Sequence, residues 1–233
     1  MLRNHILFKD DYTDIMADTH IEINDNQIIE SNLIGGSLSI NSGEVYIENN
    51  SIDSFFGMSF SFMMKINTLD SGYIISKSND KNNLNHSIYM DENGEFALVN
   101  TEVNTEYTKN VYVEADTPFK IGEYQRVTVT IGKDGKYKAY IDNELVTLAD
   151  IGFPFVYDKD MPWKFNPYKN DTSTLDFEIC DFRLYDHELT KLEIVRLNKL
   201  NVLKWEFDPI QRKSYNNIKI DEGFIEETEW INR

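Results

Sequence analysis

The sequence predicts an all-β fold, an antiparallel sandwich or barrel with one short helix near its C-terminal end. Three observations predict it: segment after segment alternates apolar and polar residues with period two, glycine-bearing turn pairs separate those segments, and a single helix start is visible. A chain of 233 residues is long enough for one such sandwich with additions at its ends.

The alternation is explicit. In residues 44–48 (EVYIE), Val45 and Ile47 share a face, and in 59–67 Phe60, Phe62, Met64 and Ile66 do. Residues 72–76, 87–90, 95–99 and 110–114 continue the pattern; 125–131 aligns Val127, Val129 and Ile131, 136–141 follows, and 176–185 closes the series. Strands of this kind bury one face and wet the other, as antiparallel sheets do. Between them, Asn93-Gly94 and Asp134-Gly135 are pairs that tight hairpins favour because they tolerate positive φ, and Ile141-Asp142-Asn143-Glu144-Leu145 is a further hairpin candidate. These acidic turns are read as backbone geometry; calcium ligation is the alternative, although none matches an EF-hand loop.

The helix start lies after the last long strand. Thr190 and Glu193 have the spacing of a capping box, and Leu189 with Ile194 fits a hydrophobic staple. Leu192, Val195 and Leu200 supply an apolar stripe ending near Asn201.

Composition excludes several function classes. The 23 basic and 40 acidic residues leave a net charge of −17, which repels phosphate backbones and anionic lipid, so neither nucleic acid nor a membrane is an expected partner. Apolar residues at 41% are enough for a packed core. Near the N-terminus the longest apolar run is Ile6-Leu7-Phe8, too short for a secretory signal, so the chain is expected to be made and kept in the cytoplasm unless it leaves by lysis or a non-classical route. Cys180 is the sole cysteine, read as a small core residue, and the four histidines have no ligand spacing and are read as surface or turn residues. No cofactor or metal is expected, calcium aside. The chain divides into residues 1–36, an arm or extra strands; 37–201, the sandwich; and 202–233, an extension with a strand-like piece at 203–207.

The order of the pieces resembles a known family. Ser37-Leu38-Ser39-Ile40 and Val45-Tyr46-Ile47 look like its opening strands, and Ser59 to Ile66 (SFSFMMKI) like its next long strand. Tyr124 to Thr130 and Asp134 to Val146 (DGKYKAYIDNELV) resemble its central hairpin, and Ile179 to Thr190 (ICDFRLYDHELT) its closing strand, turn and capping box. Together they resemble the laminin-G-like, concanavalin A-like lectin/glucanase jelly roll over about residues 37–200. Tyr124 stands where the family often has Trp, Asn143 where it usually has Gly, and Phe177 in place of a common Gly.

That fold hosts lectins, glucanases and inert modules, so its function rests on sites. The family's catalytic form carries a Glu-x-Asp-x-x-Glu strand whose carboxylates act as nucleophile and acid/base. Here Asp176, Glu178 and Asp181 have the spacing with residue types reversed. Asp176 and Glu178 share a face, and Asp181 joins them only across a bulge. A solvated acidic face and a non-catalytic chain are the expectation. For binding, the proline-punctuated, aromatic segment 153–168 is the candidate, with Phe155, Tyr157, Trp163, Phe165 and Tyr168 as residues to stack on a sugar or enter a protein interface. The alternative is a loop covering one open end of the core. The resemblance implies a structural or recognition module, read as a bacteriophage virion surface component such as a head decoration, fibre or tail protein. It would bind virion proteins or a cell-surface glycan, with a homo-oligomer left open. A free carbohydrate-binding lectin is the alternative, and a glycoside hydrolase the third reading.

Overall fold

The computed structural model describes residues 2–8, 12–14, 21–23, 27–29, 37–41, 45–48, 57–78, 84–103, 108–114, 118–150, 161–167 and 175–197. The chain divides into two units, Met1–Asn198 and Lys199–Arg233. The second unit lies outside the described residues, and with it the expected strand at 203–207.

Two antiparallel sheets form the first unit. The nine-stranded sheet runs β14 (Glu144–Asp150), β13 (Lys136–Ile141), β12 (Tyr124–Ile131), β7 (Met58–Ile66), β16 (Phe177–Tyr185), β1 (Leu2–Phe8) and β2 (Tyr12–Asp14), while β5 (Ser37–Ile40) also pairs with β16 and carries β4 (Gln27–Ile29). The seven-stranded sheet runs β11 (Thr108–Glu114), β10 (Phe96–Val103), β9 (Leu84–Met90), β8 (Gly72–Ser78), β15 (Trp163–Phe165), β6 (Val45–Ile47) and β3 (Ile21–Ile23). The chain before residue 37 therefore supplies strands to both sheets: β1 pairs with β16 and β3 with β6.

The core lies between the sheets and consists of the alternating side chains. Phe60, Phe62, Met64 and Ile66 of β7, and Val127, Val129 and Ile131 of β12, are buried, as are Phe177, Ile179, Phe182 and Leu184 of β16. Facing them are Ile88, Met90, Phe96, Leu98, Trp163 and Phe165. Each large aliphatic or aromatic side chain so placed contributes about 1.5–3 kcal/mol, which fixes the strand registers: a one-residue slip would turn the whole set to water.

The turns differ from the expectation in one respect. The two-residue hairpin with positive φ at both central positions is Asp142-Asn143 (φ 49° and 76°), the type I′ geometry. At the Asn93-Gly94 and Asp134-Gly135 turns only the glycine is left-handed (φ 82° and 80°). The N–H of each glycine donates to the carbonyl three residues back, Asp91 or Gly132, so the glycine follows a type I turn. The acidic side chains serve the backbone as well: Asp91 Oδ1 accepts from the N–H groups of Asn93 and Glu95, both at 2.9 Å.

The helix α1 (residues 191–197) begins as its capping residues require. Thr190 N–H donates to Glu193 Oε2 at 2.7 Å, and Glu193 N–H donates back to Thr190 Oγ1 at 3.3 Å. Leu189 and Ile194 pack together with Leu197, Tyr140 and Tyr185. Ser59 anchors the approach, donating to the His187 carbonyl and accepting from Leu189 N–H.

Candidate functional site

Asp176, Glu178 and Asp181, at and just before β16, are the acids with the spacing of the family's catalytic strand. Asp181 has φ 53°, and the register of β16 against β7 shifts between Cys180 and Arg183. That bulge brings Asp181 to the same side of the sheet as Glu178. The face is not solvated, contrary to expectation: Glu178 is 8% exposed and Asp181 0%. Both carboxylates are instead committed to neighbours. Glu178 is ion-paired with Lys65 and accepts from the Tyr124 hydroxyl, and Ser37 Oγ donates to it at 3.2 Å. Asp181 is ion-paired with Arg126 and accepts from Arg183 Nε at 2.9 Å and Nη2 at 3.0 Å. Asp176, half-buried, accepts from Asn67 Nδ2 at 2.9 Å.

The electrostatics follow. Burial alone would raise the Glu178 carboxyl, but hydrogen bonds from Lys65 and Tyr124 outweigh it and hold the group below its ordinary value. Burial, reinforced by the Glu178 carboxylate, drives the Tyr124 hydroxyl upward, so Tyr124 stays a donor. A glycosidase acid needs the opposite, a carboxyl raised so that it is protonated when substrate arrives. Cys180 is buried beside Asp181, and burial pushes its thiol up to about 12.

The aromatic segment divides. Phe155, Tyr157 and Tyr168 lie outside the described residues. Trp163 and Phe165 do not sit in a connecting loop: they belong to β15, hydrogen-bonded between β6 and β8. Their side chains alternate into the core and both are fully buried. Trp163 packs against Phe60 (4.9 Å between centroids) and Phe182 (6.4 Å), and Phe165 meets Phe62 and Phe182 edge-on, each at 5.5 Å. Rings enclosed in this way fill the sandwich and offer no face to an external ligand. His86, expected at the surface, is also a core residue, stacked on Tyr137 at 5.8 Å and hydrogen-bonded through Nδ1 to its hydroxyl.

Sequence reading missed a third region. At the end of the sandwich where β7 finishes, the β7–β8 loop (67–71), the β9–β10 turn (91–95) and the approach to β12 (118–123) are tied together. Phe119 N–H donates to the Gly94 carbonyl at 2.9 Å, and Gly122 N–H to the Ile66 carbonyl at 2.8 Å. A Leu69 methyl lies so close to Gly94 that a Cβ there would stand 2.9 Å from it, so left-handed Gly94 serves turn and packing together. On this fastened surface Leu69 is 44% and Ile121 50% exposed. The available signal was Leu69 in the otherwise polar connection 67–71 and Ile121 between the charged Lys120 and Glu123. Among the described residues no group of three or more His, Cys, Asp or Glu side chains is placed to hold a metal ion, and no helix is long and apolar enough to cross a membrane.

Comparison with known proteins agrees with this architecture. The family model of the concanavalin A-like lectin/glucanases superfamily matches residues 39–195, about two thirds of the chain. No curated protein sequence matches. Among solved structures, the chain is similar to the receptor-binding domain of botulinum neurotoxin C/D mosaic serotype, with a TM-score of 0.69 and 17% identity over 87% of this chain and 52% of that one. It is also similar to the binding domain of Paraclostridial Mosquitocidal Protein 1, with a TM-score of 0.68 and 14% identity over 84% and 51%. The receptor-binding domain of botulinum neurotoxin type G gives 0.64 and 15% over 84% and 50%. The chain thus spans about half the length of these structures, and identities this low establish the fold alone.

Proposed function

The chain belongs to the concanavalin A-like lectin/glucanase superfamily, and from that premise we propose that it is a non-catalytic recognition module that binds a protein partner or a glycan at a receptor surface. The observation that carries this reading is the commitment of Glu178 and Asp181. Each carboxylate is buried and held by cations of its own sheet, Lys65 for one and Arg126 with Arg183 for the other. Neither can shuttle a proton to a glycosidic oxygen without breaking a buried ion pair. The similarity to toxin binding domains supports a receptor-directed role by analogy of fold.

A finer proposal concerns where the module is carried: on the surface of a bacteriophage particle, as a head decoration, fibre or tail protein, after synthesis in the cytoplasm. It rests on the family resemblance read from the sequence. Mass spectrometry of purified particles tests it, and absence of the chain from every particle removes it.

The recognition reading is tested by applying the chain to a glycan array and to intact candidate host cells. Saturable binding is expected. A chain that binds none of these surfaces, while releasing reducing ends from a polysaccharide, overturns the reading.

A further inference from the structure

We propose that the surface formed by residues 67–71, 91–95 and 118–123 docks a cationic protein segment, one that presents lysine or arginine beside an apolar side chain. The inference rests on the recognition reading and gives that reading a site and a partner chemistry.

The apolar part comes first. Leu69 and Ile121 are two of the five large hydrophobic side chains that stand exposed among the described residues. They belong to loops joined by backbone hydrogen bonds through Phe119, Gly94, Gly122 and Ile66. Because the loops are already fastened, little conformational entropy remains to be lost when a ligand settles on them. Among the described residues nothing lies within 4 Å of the position a Cβ would take on Gly122, so the tip beside Ile121 is open to an approaching chain.

Charge then selects the partner. These three loops carry five carboxylates, Asp70, Asp91, Glu92, Glu95 and Glu123, against one ammonium, Lys120. Lys120 is itself 3.8 Å from Glu123. A rim of this sign steers cations toward the apolar pair and repels phosphate and acidic sugars. A neutral glycan is the poorer fit, because sugars are gripped by exposed aromatic faces. Here the one ring within the loops, Phe119, stacks on Phe96 at 5.1 Å and lies buried. The half-buried Tyr124 beside them has its hydroxyl bound to Ser37 and Glu178, and the half-buried Tyr73 packs edge-on against Tyr89. Exposed aliphatic side chains within an acidic rim instead match a peptide that alternates basic and apolar residues.

The test uses the full chain and three synthetic peptides: one alternating lysine and leucine, one with glutamate in place of lysine, and one with serine in place of leucine. Binding is followed by amide chemical-shift mapping and by titration at low and high salt. The lysine–leucine peptide is expected to shift the amides of Leu69, Gly94, Ile121 and Gly122 and to weaken as salt rises, with the other two peptides leaving those amides in place. The double variant Leu69→Ser/Ile121→Ser is expected to bind about tenfold more weakly or worse, and Glu92→Gln/Glu123→Gln to lose much of the salt dependence, both while still folded and unfolding cooperatively. Equal binding of the serine peptide, shifts confined to other surfaces, or an unaltered double variant would overturn the proposal. A receptor or glycan that the double variant binds as tightly as the parent chain would remove this site and leave the recognition reading standing. Polysaccharide turnover would remove both.

Discussion

Glu178 and Asp181, three residues apart on β16, lie on the same side of the nine-stranded sheet because Asp181 takes a left-handed conformation (φ 53°) inside a bulge. The sequence spacing is that of a glycosidase strand, but both acids are paired with cations of the same sheet.

Asp181 is the more critical of the two. Replacing it with Asn keeps the shape and the tolerance of positive φ but leaves Arg126 and Arg183 buried without their counter-charge. Asp181→Asn is expected to cost about 3–5 kcal/mol, measured as a lower urea midpoint at neutral pH.

Glu178 makes stability depend on pH. Its folded carboxyl titrates below its ordinary value, so the unfolded chain binds the proton more readily. The resulting stabilisation is complete above the ordinary carboxylate range and is lost as pH falls through the folded value. Urea midpoints of the parent chain should therefore decline on acidification, and those of Glu178→Gln should decline less over the same window.

Trp163 anchors the core, enclosed by Phe60, Phe182 and His86. Trp163→Ala is expected to cost about 3–5 kcal/mol by opening a cavity, seen as a large fall in thermal stability. A variant that keeps its stability but loses ligand binding would contradict this placement.

Cys180 should be inert. With its thiol pushed up to about 12 by burial, almost no thiolate is present near neutrality. A thiol-disulfide reagent at about pH 8 is expected to label the native chain far more slowly than the urea-unfolded chain; equal rates would contradict the buried position.

Much of the fold was legible because period-two burial leaves a direct trace: the inward sets of β7 and β12 are the alternating residues of the sequence. The helix start was legible for a similar reason, since Thr190 and Glu193 satisfy each other's backbone locally. Other features depend on distant partners. Trp-Lys-Phe at 163–165 is a three-residue strand between two prolines, and only pairing with β6 and β8 shows that it is a strand of the seven-stranded sheet lining the core. That Asp181 would join Glu178 was conditional on a bulge, and the arginine that fixes it, Arg126, lies on another strand, 55 residues away in sequence. The loop surface around Leu69 and Ile121 had no motif, because its three segments meet only once the sheets have formed.

The most direct measurement is release of reducing ends from a panel of β-glucans by the purified chain beside Glu178→Gln. The proposed recognition role predicts no turnover by either protein across the pH range in which both stay folded. Hydrolysis by the parent chain that disappears in Glu178→Gln would contradict it, because it would show the carboxylate paired with Lys65 acting on substrate.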